Sequence, residues 1–270
     1  MYKQASLLSL SKMSEKAFSF LAIIQLTYLF KPEAMGQFFF YFSFMSLLIP
    51  LMDLGLKKVF VIHWNKALTE RSELLGSLIL IKLLLGFGCL FCAIIADQLI
   101  HQADSSATNI FFCFLAIFSD ELSQLFRSAD HACERYTYEI ISPFFAKLSC
   151  LCLIYVFRNN FTTIQEVLGI YAASNLLSLI ISTQAFRSCR PKFLISHLII
   201  HYKKLIKEGI PFSFTSVFVM LAFYADSVIL SFYSMEQTGF YNCAYRIIIV
   251  FGVLSGGLCH VLFTRFSRFS

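Results

Sequence analysis

Apolar runs of about 20 residues recur along this chain from one end to the other. That length, at 1.5 Å of rise per residue, is what a helix needs to cross roughly 30 Å of hydrocarbon. Eight such spans can be placed, near residues 7–30, 34–56, 74–96, 108–127, 137–157, 167–187, 210–232 and 238–262. The loops between them are short except for 57–73 and 188–209. A chain that is 58% hydrophobic and only 14% charged falls outside the soluble globular range. The expected fold is therefore all-α, a polytopic membrane protein with about eight transmembrane helices. The first apolar segment is long and lacks a small-residue cleavage site, so no cleavable signal peptide is expected.

Basic residues set the expected orientation. Lys57, Lys58, Lys66, Arg71, Arg127, Arg135, Arg187, Arg190, Lys192, Lys203, Lys204 and Lys207 follow spans two, four and six, and Arg265 and Arg268 follow span eight. The intervening loops offer Lys31 and Arg158. The positive-inside rule then puts both termini and the even loops in the cytoplasm, at the cytoplasmic membrane of the cell. The same asymmetry accounts for most of the net charge of +6, so a nucleic-acid partner is not called for. Within the long loop, 191–207 places Leu194, Leu198, Tyr202 and Leu205 near one face and Lys203, Lys204 and Lys207 largely off it. This reads as an interfacial helix on the anionic leaflet. The domain reading is thus a six-helix bundle over 1–190, a basic linker over 191–207, and two further spans over 208–270.

Charges within the spans are the candidate site. Lys12, Glu15 and Lys16 share span one at helical spacing. Lys82 lies in span three, Asp120 and Glu121 in span four, Lys147 in span five, Asp226 in span seven and Arg246 in span eight. Facing lipid, each would cost several kcal/mol, so they should face one another or a water-filled cavity. For Lys12, Asp120, Glu121 and Arg246, snorkelling to the headgroups from near a helix end is an equal alternative. Lys16, Lys82, Lys147 and Asp226 lie deeper and favour a cavity. Five cations in the membrane suit an anionic substrate such as a phosphate or pyrophosphate, and the acids could pair with them or carry a proton.

Catalytic patterns are thin. The six histidines are scattered, without metalloprotease-like spacing. Cys89 and Cys92 form a C-x-x-C inside an apolar helix with no second pair, which argues against a metal or redox site. The nine cysteines read as small hydrophobes. Asp120-Glu121 lacks the extramembrane domain a glycosyltransferase would need. Gly252, Gly256 and Gly257 form a small-residue face of the kind that packs helices closely. Neither an enzyme nor a cofactor is expected.

One short signature occurs twice. Glu33-Ala-Met-Gly36 and Glu236-Gln-Thr-Gly239 stand 203 positions apart, each opening an aromatic-rich apolar span. Pro32 and Glu33 suit a helix start, where a missing N–H costs nothing and an acid faces the positive helix end. Pro50 and Pro143 fall within spans and should kink them. Glu33 to Gly36, the span after it, Asp53-Leu54-Gly55-Leu56 and Lys57-Lys58 together resemble the second helix of the polysaccharide and O-antigen flippases, in the multidrug/oligosaccharidyl-lipid/polysaccharide exporter superfamily. Lys207-Glu208-Gly209-Ile210-Pro211-Phe212, Asp226 to Leu230, and Glu236 to Arg246 are similar to that family's seventh and eighth helices.

The resemblance implies two six-helix bundles related by internal repetition, enclosing a site that opens to each side in turn. It also implies a substrate, an undecaprenyl-pyrophosphate-linked oligosaccharide moved between leaflets, and places Lys12, Lys16, Lys82, Lys147 and Arg246 as anion-binding candidates. Against that pattern the second bundle has two of its six helices. Truncation, a split transporter with a separate C-terminal half, and completion by association are the readings open. A scaffold for polymerase or other polysaccharide-assembly proteins, and a drug exporter of the same superfamily, are the alternative functions.

Overall fold

The computed structural model describes residues 2–64, 71–100, 107–132, 137–184 and 195–248. All the regular structure among them is helical: α1 (Tyr2–Leu29), α2 (Pro32–Leu47), α3 (Ile49–Asp53), α4 (Leu56–Trp64), α5 (Arg71–Ile100), α6 (Ala107–Ala132), α7 (Thr137–Phe157), α8 (Ile164–Thr183) and α9 (Ile195–Ser231). A tenth helix, α10, covers 235–248. Six segments are long and apolar enough to cross a membrane, with α2 to α4 counting as one from Pro32 to Trp64. Helix α1 and α10 correspond to the remaining two of the eight expected spans. Gly252, Gly256, Gly257, Arg265 and Arg268 lie outside the described residues, as do Lys66, Arg135, Arg187, Arg190 and Lys192.

Helix α6 is the hub, packing against α2, α3, α4, α5, α7 and α8. Its contact with α8 is drawn close by small and polar side chains. Ser123, Ser142, Ser178 and Ser182 form a buried cluster of hydroxyls 2.7–3.0 Å apart that joins α6, α7 and α8. Asn175 donates through Nδ2 to the Ala116 carbonyl at 2.9 Å. In hydrocarbon such bonds replace the hydrophobic effect as the glue between helices. Around them lies an aromatic core in which Phe38, Phe39 and Phe40 of α2 are almost wholly buried, with Phe38 and Phe42 both against Tyr171 of α8.

Pro50 breaks its span. Helix α2 ends at Leu47, α3 restarts with Pro50 in its first turn, and the Ser213 hydroxyl on α9 donates to the Pro50 carbonyl at 3.0 Å. Helix α3 then ends in two consecutive left-handed residues, Leu54 at φ 44 and Gly55 at φ 71. A left-handed leucine is strained, and a second one would be worse, hence glycine. Pro143 sits inside α7 without interrupting it.

No break separates the basic linker from the seventh span. Helix α9 runs through Gly209 and Pro211 for 37 residues. Gly209 does not terminate a helix here. A Cβ on it would overlap the Leu54 carbonyl, and one on Gly55 would overlap the Gly209 carbonyl. The two glycines let α9 cross the α3–α4 turn backbone to backbone.

Candidate functional site

Two connected cavities open at one end of the bundle. The outer one, about 620 Å³, is walled by the first half of α1, the end of α6, the start of α7, α4 and Phe212 of α9. The inner one, about 390 Å³, continues between α2, α6, α7, α8 and α9, and reaches Phe42, Lys147, Asn175 and Tyr224. Lys57, Lys58, Asp120 and Gln124 line both.

Behind the inner wall lies a continuous charge network. Lys82, buried on α5, sits 2.6 Å from Asp53 Oδ1 and 3.3 Å from Glu121 Oε2. Its ammonium also donates to the Glu121 carbonyl at 3.2 Å. Lys57 lies 2.9 Å from the same Glu121 Oε2 and donates to Gln124 Oε1 at 2.8 Å. Gln124 donates in turn to Asp120 Oδ2 at 2.9 Å, and Arg127 to Asp120 Oδ1 at 3.3 Å. A buried cation is tolerated only when its protons and charge are met, and Lys82 meets both needs with protein groups.

The balance of signs matters more than any one pair. Across both cavities and the network behind them, Lys12, Lys57, Lys58, Lys82, Arg127 and Lys147 face Glu15, Asp53, Asp120, Glu121 and Glu139, six bases to five acids. Lys58 and Lys147 make no ion pair among the described residues. Lys58 lies over the Phe212 ring at 5.1 Å, and Lys147 reaches the Asn175 Oδ1 at 3.4 Å. Farther in, Arg246 of α10 lies over Phe39, one turn of α2 beyond Phe42, with its guanidinium 5.6 Å from the ring centre. Cations therefore stand at successive depths: Lys58 at the mouth, Lys147 in the inner cavity, Arg246 beyond its end.

The remaining expected residues are placed as follows. Lys12 and Glu15 line the outer cavity, with Lys12 3.7 Å from Glu139. Asp120 and Glu121 are in the network. Lys16 is exposed on α1 and lines neither cavity. Asp226 is exposed on α9 and accepts a hydrogen bond from Tyr241 Oη at 3.0 Å. Among the described residues no cluster of His, Cys, Asp or Glu could hold a metal ion.

Asp53, Lys57 and Lys58 were not among the residues expected to line a cavity. In the sequence the two lysines follow the last apolar residue of span two, Leu56, and so read as loop residues, yet α4 carries the helix on to Trp64. The signal was present in the Asp-Leu-Gly-Leu-Lys-Lys run, where an acid and a base flank a glycine that turns the chain.

The family comparison fits this arrangement. A family model described as polysaccharide biosynthesis protein matches residues 1–270. The chain belongs to this family. No curated protein matches it, and no solved structure does. For a polysaccharide biosynthesis protein built of apolar helices, a charged cavity in which Lys58 and Lys147 make no ion pair among the described residues is the feature to explain, and the buried Lys82 is the expected anion ligand least available to serve.

Proposed function

We propose that this protein is a flippase that moves a lipid-linked polysaccharide repeat unit, an O-antigen type undecaprenyl-pyrophosphate oligosaccharide, across the cytoplasmic membrane. The observation that carries this reading is a series of cations at increasing depth that make no ion pair among the described residues, Lys58, Lys147 and Arg246. A pyrophosphate entering at the mouth meets a positive group at each level, while the lipid tail stays between helices. Orientation follows from the basic loops: both termini and the cavity mouth face the cytoplasm, where such a substrate is assembled. Transport is the role this reading assigns, because the described residues lining the site are ammonium, guanidinium, amide and carboxylate groups suited to binding an anion.

Further membrane helices, such as those of polysaccharide-assembly proteins, are the partners this reading calls for. The apolar face of α9 with Phe214, Phe218 and Ile229 exposed, and Asp226 exposed beside it, is where they would lie.

Binding of inorganic pyrophosphate to the purified chain in lipid nanodiscs tests the site. Saturable binding that falls about tenfold or more in Lys58→Ala/Lys147→Ala supports it, since charge-assisted hydrogen bonds are each worth about 1.5–3 kcal/mol. Binding unaffected by the double substitution would refute it.

A further inference from the structure

The two Glu-x-x-Gly copies, 203 positions apart in sequence, meet in space. Gly36, in the first turns of α2, and Gly239, in the first turns of α10, are both buried and face each other. A Cβ on Gly36 would overlap the Met235 carbonyl and lie 3.2 Å from Gly239 N. A Cβ on Gly239 would overlap the Pro32 carbonyl and lie 3.1 Å from Gly36 N. No side chain separates the two helix ends. This explains why glycine stands at both positions, a question that helix-start chemistry alone leaves open, since Pro32 and the acids already satisfy it.

The position of the crossing gives it a role. The outer cavity, which shares Lys57, Lys58, Asp120 and Gln124 with the inner one, lies between the first half of α1, the end of α6 and the start of α7. Gly36 and Gly239 lie at the opposite end, beyond Phe42 and Tyr224, the deepest residues of the inner cavity on α2 and α9. Arg246 lies between that cavity and the crossing, stacked on Phe39. Thr238, next to Gly239, is wholly buried and tied down by its own hydroxyl to the Ser234 carbonyl at 2.9 Å. Met235 and Cys243 pack against the same core as Phe38 and Phe39.

We infer that the paired motifs form the gate at the closed end of the pathway: Gly36 and Gly239 seal it by direct backbone contact, and parting them exposes Arg246 and the inner cavity to the opposite side. The inference rests on the transport reading above, but its test does not depend on any anion. The probe is Ser216→Cys on α9, which lines the inner cavity, reacted with a membrane-impermeant maleimide from each side of oriented vesicles and scored above the unsubstituted chain.

With both glycines intact, labelling should come from the mouth side alone. In Gly36→Ala and in Gly239→Ala the added methyl cannot be housed, so labelling from the closed side should rise about tenfold or more. Gly88→Ala is the control, because a Cβ there meets nothing within 4 Å, and it should label like the parent. Equal labelling in all three variants, or closed-side labelling of the parent at the mouth-side rate, overturns the gate. If neither alanine variant reaches the membrane, spin labels at Glu33 and Glu236, both exposed, read the crossing with its glycines in place. Two interconverting distances support a gate, and one fixed distance overturns it. A working gate without pyrophosphate binding would remove the substrate reading and leave this one standing.

Discussion

Lys82 and Lys147 are both lysines within apolar helices, and sequence alone treats them alike. Their surroundings differ. Lys82 is held by Asp53 and Glu121 and is 1% exposed, whereas Lys147 touches an amide oxygen and lines a cavity. Replacing Lys82 with alanine strands a buried carboxylate, which should cost about 3–5 kcal/mol. Thermal unfolding in detergent should show a large loss of stability, and a melting curve that matches the parent's would contradict the pairing. Lys147→Ala should unfold within about 0.5 kcal/mol of the parent while weakening pyrophosphate binding. Lys16→Ala should change neither quantity, because its side chain is exposed outside both cavities. Which lysine is held by carboxylates and which is left facing a cavity was not legible in sequence, since it depends on partners contributed by helices 28 to 39 residues away. That an acid–base set would gather inside the membrane was legible, because lipid leaves charged groups no other inexpensive choice.

Among the elements, the spans were easier to read than their joints. The eight apolar segments follow from hydrocarbon thickness, and that constraint acts on each segment alone. The α3–α4 turn does not, because its two positive-φ residues, Leu54 and Gly55, lie where Gly209 of α9 crosses, and that contact joins segments more than 150 residues apart. The helix that resumes there as α4, with Lys57 and Lys58, reads as loop in the sequence. Gly55→Ala should therefore be costly on two counts, a strained φ of 71 and overlap with the Gly209 carbonyl. A loss of about 2 kcal/mol or more is expected on chemical unfolding, against little change for Gly88→Ala. The hydroxyl seam makes a milder prediction. Ser178→Ala removes a hydroxyl that lies 3.0 Å from Ser123 and 2.7 Å from Ser142, and should cost about 1 kcal/mol, since interhelical bonds in membranes average near 0.6. A cost above roughly 3 kcal/mol would mean the seam is tighter than its neighbours can repair.

For the whole molecule, the first bundle and α9 with α10 touch in unlike ways. Within the bundle, phenylalanine rings and serine hydroxyls interlock across α2, α6, α7 and α8. Between the bundle and α9 or α10, the tightest approaches are at Gly55 with Gly209 and at Gly36 with Gly239, where main chain meets main chain. His63 of α4 and Glu208 of α9, 2.5 Å apart, add one polar tie beside the first of these. Surfaces that interdigitate must swap rotamers to slide, and each swap is a barrier. Two bare backbones have no teeth to disengage. At the glycine crossings themselves motion meets no interlocked side chains, so the repacking it requires falls on the few that flank them, Leu205, Phe212, Met235 and Cys243, which seat in the bundle's cores.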